Sequence, residues 1–184
     1  MFFMSKKGDT WISAILYMAL GIVAIALILS AGLPLIQNMR DRNTISQTKD
    51  IFANLDKSIR TVVDQGPGAI QIVPLTISSG ELYIDADPFL QNREDVVLWR
   101  LKTNIQVVEE NYKKREGNLM IYVEPTLVKG QYWTVIELNY LTFADLTLNA
   151  TGFGNPIMGS GSFSIKKTGK FSTDNRPYID FTVS

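Results

Sequence analysis

From Trp11 to Ile36 the chain carries no Asp, Glu, Lys or Arg. As an α-helix at about 1.5 Å per residue the run measures roughly 39 Å, more than the ~30 Å hydrocarbon core of a bilayer. A soluble helix is rarely apolar on every side over such a length, so the run reads as a membrane-crossing helix with lipid around it. Trp11 and Tyr17 lie toward one end, where amphipathic aromatics favour the interface. Gly21 and Gly32, with several Ala and Ser residues, are small enough to let another backbone approach. Pro34 removes one helix hydrogen bond and is expected to kink or loosen the helix. Lys6 and Lys7 precede the run and Arg40 and Arg42 follow it, with Asp41 between them, so the count of basic residues gives little orientational bias. The short N-terminal side is the simpler one to keep in the cytoplasm, which places the C-terminal domain outside.

Residues 37–65 continue as an amphipathic helix. Ile45, Phe52 and Ile59 recur every seven positions, as do Thr48, Leu55 and Val62, with Ile51 and Val63 widening the stripe. Lys49, Asp50, Asp56, Lys57 and Arg60 lie between them, so the segment has an apolar seam and polar flanks. Asp56 and Arg60 form an acid-to-base pair at i,i+4, worth a few tenths of a kcal/mol when exposed. The seam needs a partner, either the chain's own C-terminal domain or a neighbouring helix in a coiled coil; under three heptads is short for a coiled coil alone. Gly66-Pro67-Gly68 ends the helix.

After Gly68 the apolar period changes to two. Ile70 and Ile72 flank Gln71, and Leu82 and Ile84 flank Tyr83. From Val97 to Val107, Val97, Trp99, Leu101, Ile105 and Val107 are expected on one face and Leu98, Arg100, Lys102, Asn104 and Gln106 on the other, with a bend or break near Thr103. Further strands are expected at 119–123, 132–140, 144–149, 163–165 and 179–183. Ser79-Gly80, Asp87-Pro88, Lys129-Gly130, Asn155-Pro156 and 173–175 read as turns, and residues 113–118 as a charged hairpin tip. About eight short strands argue an antiparallel sheet or small sandwich, giving an α+β protein: a long transmembrane and amphipathic N-terminal helix followed by a β-rich head.

Lys6-Lys7-Gly8, then Asp9 and the apolar run, resemble the processing signal of archaeal and bacterial type IV pilin precursors, and the layout resembles that of archaeal pilin-like proteins. The resemblance covers residues 6–64 in sequence and the rest only in architecture. It implies a leader of residues 1–8, a cut by a prepilin peptidase between Gly8 and Asp9, a transmembrane helix over 9–36, an amphipathic stalk over 37–65 and an extracellular β domain over 66–184. It also implies partners: membrane lipid, and like or unlike pilin-type helices in a filament or pseudopilus. One departure stands out. Bacterial major pilins carry Glu at the fifth mature position, where this chain has Ser13; many archaeal pilins lack that Glu. Two other N-termini compete with this one. Ser30-Ala31-Gly32 has the small residues of an ordinary signal-peptidase site, although the apolar segment is long for a signal peptide, and an uncleaved signal anchor fits the same layout. A membrane-anchored β domain that binds a ligand or partner without assembling is the alternative function.

Several function classes fall away. There is no Cys and no His, which removes disulfides, thiolate metal sites, the commonest metal ligand and the commonest general base. Lys and Arg together number 18, as do Asp and Glu, and no region is basic enough for nucleic acid. The carboxylates Glu81, Asp85, Asp87, Glu94, Asp95, Glu109 and Glu110 show no spacing that marks a catalytic pair, and an EF-hand pattern is missing around Asp85 and Asp87. No enzyme, cofactor or metal is therefore expected. The Gly-rich stretches at 152–156 and 159–161 lack the Lys of a phosphate loop and read as turns. Lys166, Lys167 and Lys170 read as a solvated strand edge. Asn149-Ala150-Thr151 is an N-glycosylation sequon at Asn149.

Overall fold

A computed structural model describes residues 6–86, 94–149 and 156–183. The chain divides into two compact units, residues 1–40 and 41–184. The helix α1, Lys6–Asp64, is α-helical throughout, including at Pro34. Its first part makes up the described portion of the first unit. The second unit holds the rest of α1 and a single sheet of eight strands. In chain order these are β1 (Ile70–Ile84), β2 (Val96–Thr103), β3 (Lys114–Glu116), β4 (Leu119–Pro125), β5 (Tyr132–Asn139), β6 (Asp145–Asn149), β7 (Ile157–Phe171) and β8 (Pro177–Val183). The sheet order is β3-β4-β5-β2-β1-β7-β8-β6. The α+β class matches the expectation, with one sheet instead of a sandwich. It is mostly antiparallel, but β6 and β8 pair in parallel.

One sheet face packs on α1 within the second unit. Ile45, Phe52, Leu55, Ile59 and Val62 share a core with Leu75, Trp99, Leu101, Ile136, Phe163 and Phe181, among others. Positions 41, 45, 48, 52, 55, 59 and 62 are all buried, and their alternating spacing of four and three keeps them on one stripe. The seam is thus covered by the chain's own sheet. The helix has no basic residue in its last turn, and its end is capped from the sheet instead. Lys167 Nζ donates to the carbonyls of Val63 (2.6 Å) and Gln65 (2.7 Å), where helix carbonyls lack partners and the dipole favours a cation.

Several local expectations are corrected. Ser79-Gly80 is not a turn between strands. β1 runs through it, pairing with β7 over residues 70–77 and with β2 over 81–84, and the β7 register shifts between Ile77 and Leu82. The reason is parity. Ile77 and Leu82 both face the core but are an odd number of positions apart, so strict alternation would expose one of them. A bulge at Gly80, with φ of 88°, absorbs the difference. On the N-terminal half of β1 the phase is opposite to that expected: Ile70 and Ile72 are exposed while Val73, Leu75 and Ile77 are buried. β2 stops at Thr103, and Val107 is partly exposed while Val108 is buried.

Residues 114–116 are not a hairpin tip but the edge strand β3, paired with β4 around Gly117-Asn118. β2 and β4 are not neighbours, because β5 lies between them. Residues 159–161 lie inside β7, opposite Leu75 to Ile77, so they are not a turn. β7 is an interior strand, so Lys166, Lys167 and Lys170 do not protect an edge. The readings at Asp87-Pro88 and 152–155 lie outside the described residues.

Candidate functional site

The first candidate surface is the helix between Trp11 and Ile36. Every large apolar side chain in it is at least half exposed, from Trp11 (74%) to Ile36 (50%). Its most apolar stretch is not buried by the chain, and it is the one described helix long and apolar enough to cross a membrane. Ser30 turns its hydroxyl inward, donating to the Leu27 carbonyl at 2.9 Å, so the polar atom is satisfied within the helix. Gly8 and Asp9 lie in the first turns of α1. Neither a charged nor an amide side chain interrupts the apolar surface from Trp11 to Ile36.

The second is the set of polar contacts that tie α1 to the sheet beyond Asp41. The Thr103 hydroxyl donates to Asp41 Oδ2 at 2.7 Å. Lys49 Nζ meets Glu116 at 3.0 Å, and Lys114 meets the same carboxylate at 2.8 Å. These two cations hold the Glu116 carboxyl below its ordinary range. Asp56 is the centre of the largest group. Its Oδ1 accepts the Tyr140 hydroxyl at 2.8 Å, its Oδ2 accepts Asn118 Nδ2 at 2.6 Å, and Arg60 Nε contacts both oxygens at 3.0 Å. Asp56 is buried, so the Asp56–Arg60 pair is one arm of an interior network and not a solvated surface pair. The guanidinium of Arg60 also stacks over Phe143 at 4.7 Å. Sequence periodicity missed this group. The available signal was that Asp56 follows Leu55 directly and sits four residues after Phe52, on the flank of the buried stripe.

Burial and the adjoining Asp56 carboxylate push the Tyr140 phenol well above its ordinary value. On the other sheet face, burial and the Glu81 carboxylate push Tyr83 up to about 12. A phenol whose folded value is raised contributes stability that is complete below the unfolded value near 10 and is lost as pH rises through the folded value. The melting temperature is therefore expected to fall as pH climbs from about 10 to 12, and Tyr140→Phe is expected to flatten that fall. Thermal melts followed by circular dichroism across this range check it.

The sheet face turned away from α1 has two halves. On β1, β2, β4 and β5, Leu98 and Val135 are fully buried beneath Tyr83, Tyr122, Met120 and Trp133. Leu98 thus lies on the face opposite Val97, Trp99 and Leu101, as alternation predicts, but is covered there by neighbouring side chains. Arg100 spans the group, lying 5.0 Å from the Tyr83 ring and 4.5 Å from the Trp133 ring while bonding Glu81 at 2.6 Å. On β6, β7 and β8 the same face carries Thr147, Ser162, Ser164 and Thr182, as strand register dictates. Asn149, the predicted glycan acceptor, is exposed at the end of β6 opposite Thr182; Thr151 of its sequon lies outside the described residues.

Asp85 and Asp95 are engaged structurally. Asp95 is buried, pairs with Arg176 and accepts the Leu146 amide at 2.7 Å. Asp85 accepts the Asp95 amide at 2.9 Å. Burial raises Asp85 and Asp145 above their ordinary values. Asp87 lies outside the described residues. Among the described residues no three His, Cys, Asp or Glu side chains converge on a point where a metal ion would sit. No protein-family model, curated protein or solved structure matches the chain.

Proposed function

We propose that this chain is a membrane-held structural subunit of the type IV pilin-like kind, packing through residues 11–36 against like helices in a filament or pseudopilus. One contrast carries the reading. The apolar surface of α1 is uncovered on all sides from Trp11 to Ile36, whereas beyond Asp41 its apolar stripe is consumed by the sheet. An uncovered apolar helix suits two environments, hydrocarbon and sibling helices, and assembly exchanges the first for the second. Lys6-Lys7-Gly8 adds a processing site, with Asp9 as the mature N-terminus and the β domain outside the cell. Mass spectrometry of the protein from its native membrane is expected to return a chain beginning at Asp9. A chain beginning at Met1 would overturn the pilin route.

The second reading is a single-pass anchor whose extracellular β domain binds a ligand or partner without assembling. What favours it is the same seam: with Ile45, Phe52, Leu55, Ile59 and Val62 buried within the chain, α1 keeps no second apolar stripe for a neighbour. On this reading the protein is unprocessed and runs as a monomer in detergent.

A further inference from the structure

The turn between β4 and β5 breaks the usual rule that tight turns are polar. Leu127 is wholly exposed (107%) and Val128 is 57% exposed. The turn is nonetheless well built. The Thr126 amide donates to the Gln131 carbonyl and the Gln131 amide to the Val128 carbonyl, both at 3.1 Å. The Thr126 hydroxyl closes the centre, contacting the Gln131 carbonyl at 2.9 Å and accepting the Val128 amide at 3.2 Å. Gly130 supplies the positive φ, 79°. The turn thus holds Leu127 and Val128 outward at a cost in apolar exposure that the fold does not recover. Lys102 and Trp133 flank the tip on the outer sheet face and line a groove with Leu127 and Val128.

The position of the tip within the second unit follows from strand pairing and hydrogen bonds. Tyr132 and Pro125, the residues at the base of the turn, are paired with each other, and Tyr132 is also paired with Thr103. Thr103 is bonded to Asp41. At the other end of the same strands, Asn118 and Tyr140 are bonded to Asp56. The tip therefore projects from the end of the unit that holds Asp41, in the direction opposite to Asp56. Only five residues separate Asp41 from Ile36, the last residue of the apolar run. That is about 8 Å of helix, and no more than about 18 Å of fully extended chain. A surface that holds Ile36 at its boundary is within that reach of the tip's end of the unit. Two exposed aliphatic side chains beside Lys129, Lys102 and Trp133 have the composition of an interfacial contact, with aliphatic groups at the acyl boundary and amphipathic or basic groups among the headgroups.

We infer that the β4–β5 turn, through Leu127 and Val128, is a second lipid contact that seats the β domain on the headgroup boundary of the bilayer crossed by residues 11–36. This rests on the membrane-anchored reading of that run and is independent of whether the chain assembles. The contact would hold the turn, and with it that end of the second unit, against the bilayer surface.

The chain has no cysteine, so single labels are simple to place. The full chain is reconstituted in phosphatidylcholine vesicles with an environment-sensitive fluorophore at Leu127→Cys, Leu20→Cys or Asp174→Cys. Quenching is then read from lipids bearing a nitroxide near the headgroup or deep in the acyl chain, and from aqueous iodide. The Leu127 probe is expected to be quenched by the shallow nitroxide at least about twofold more than the Asp174 probe, and to lose that difference when Val128→Asp is added. The Leu20 probe reports the anchor separately through the deep nitroxide. If Leu20 is quenched but Leu127 behaves like Asp174, the turn inference fails and the anchor stands. If Leu127 is shielded from iodide without lipid quenching, a protein surface covers the turn and the inference fails. If Leu20 escapes lipid quenching, the membrane reading fails and the inference falls with it.

Discussion

Asp56→Ala is expected to destabilise the second unit by about 3–5 kcal/mol, because removing one member of a buried charged group leaves the others desolvated and unpaired. The carboxylate serves three partners at once, and Tyr140, whose hydroxyl is one of them, is fully buried. Asn118 and Arg60 lose their acceptor in the same step. For a chain of this size the loss corresponds to a fall in melting temperature of roughly 6–20 °C. Asp56→Asn keeps an oxygen acceptor and gives up the charge, so it is expected to lose less. The double variant Asp56→Ala with Tyr140→Phe separates the causes: it no longer strands a hydroxyl and should be less destabilised than the sum of its parts. Denaturant titration of the full chain in detergent, followed by near-ultraviolet circular dichroism, measures these three variants and the Tyr140→Phe single variant that completes the cycle. An Asp56→Ala loss below about 1 kcal/mol, the range of an exposed ion pair, would contradict the interior placement.

Gly80→Ala is the second large effect, about 3 kcal/mol. A methyl group at Gly80 would meet the Arg100 carbonyl oxygen and Trp99 Nε1, each at 2.6 Å. The backbone there has φ of 88°, which L side chains adopt at a cost of roughly 1–2 kcal/mol. Overpacking adds typically 1–3 kcal/mol. Trp99 is fully buried and donates its indole N–H to the Ser79 carbonyl at 3.0 Å, so it cannot swing away cheaply. The bulge and this hydrogen bond form one unit, and the substitution is expected to shift tryptophan fluorescence as well as stability. Gly117→Ala is the control: its φ is also positive but no atom lies near the added carbon, so it should cost only the backbone strain.

These two sites show where sequence reading reaches and where it stops. The Ile45, Phe52, Leu55, Ile59 and Val62 spacing marks the buried face of α1 because a helix converts period directly into position. Trp99 and Leu101 are legible for the same reason in a strand. Gly80 is not, since a Ser-Gly pair is compatible with both a turn and a bulge, and only the distant parity of Ile77 against Leu82 decides. Leu98 looks outward by alternation. It is buried in a cluster with Tyr83, Tyr122 and Val135 from other strands, which no local pattern contains. The sheet order and the parallel β6–β8 pair are likewise set by partners far apart in the chain. Among candidate functional features, the apolar run announces itself through length alone. The Leu127–Val128 tip needed the fold, because its meaning lies in which end of the sheet it occupies.

The contacts that fasten α1 to the sheet have a kinetic consequence. Asp41 and Thr103 are 62 residues apart, Asp56 and Tyr140 are 84 apart, and Lys167 reaches back 104 residues to Val63. Loop closure over such spans precedes any stabilisation they return, which places a domain of this kind among the slower folders, in milliseconds to seconds. Until β7 is in place α1 lacks its C-terminal cap and part of the cover of its apolar stripe. During that interval the nascent helix is a sticky surface that sibling chains can capture. Speed of sheet closure, more than final stability, then decides how many copies mature without cross-association.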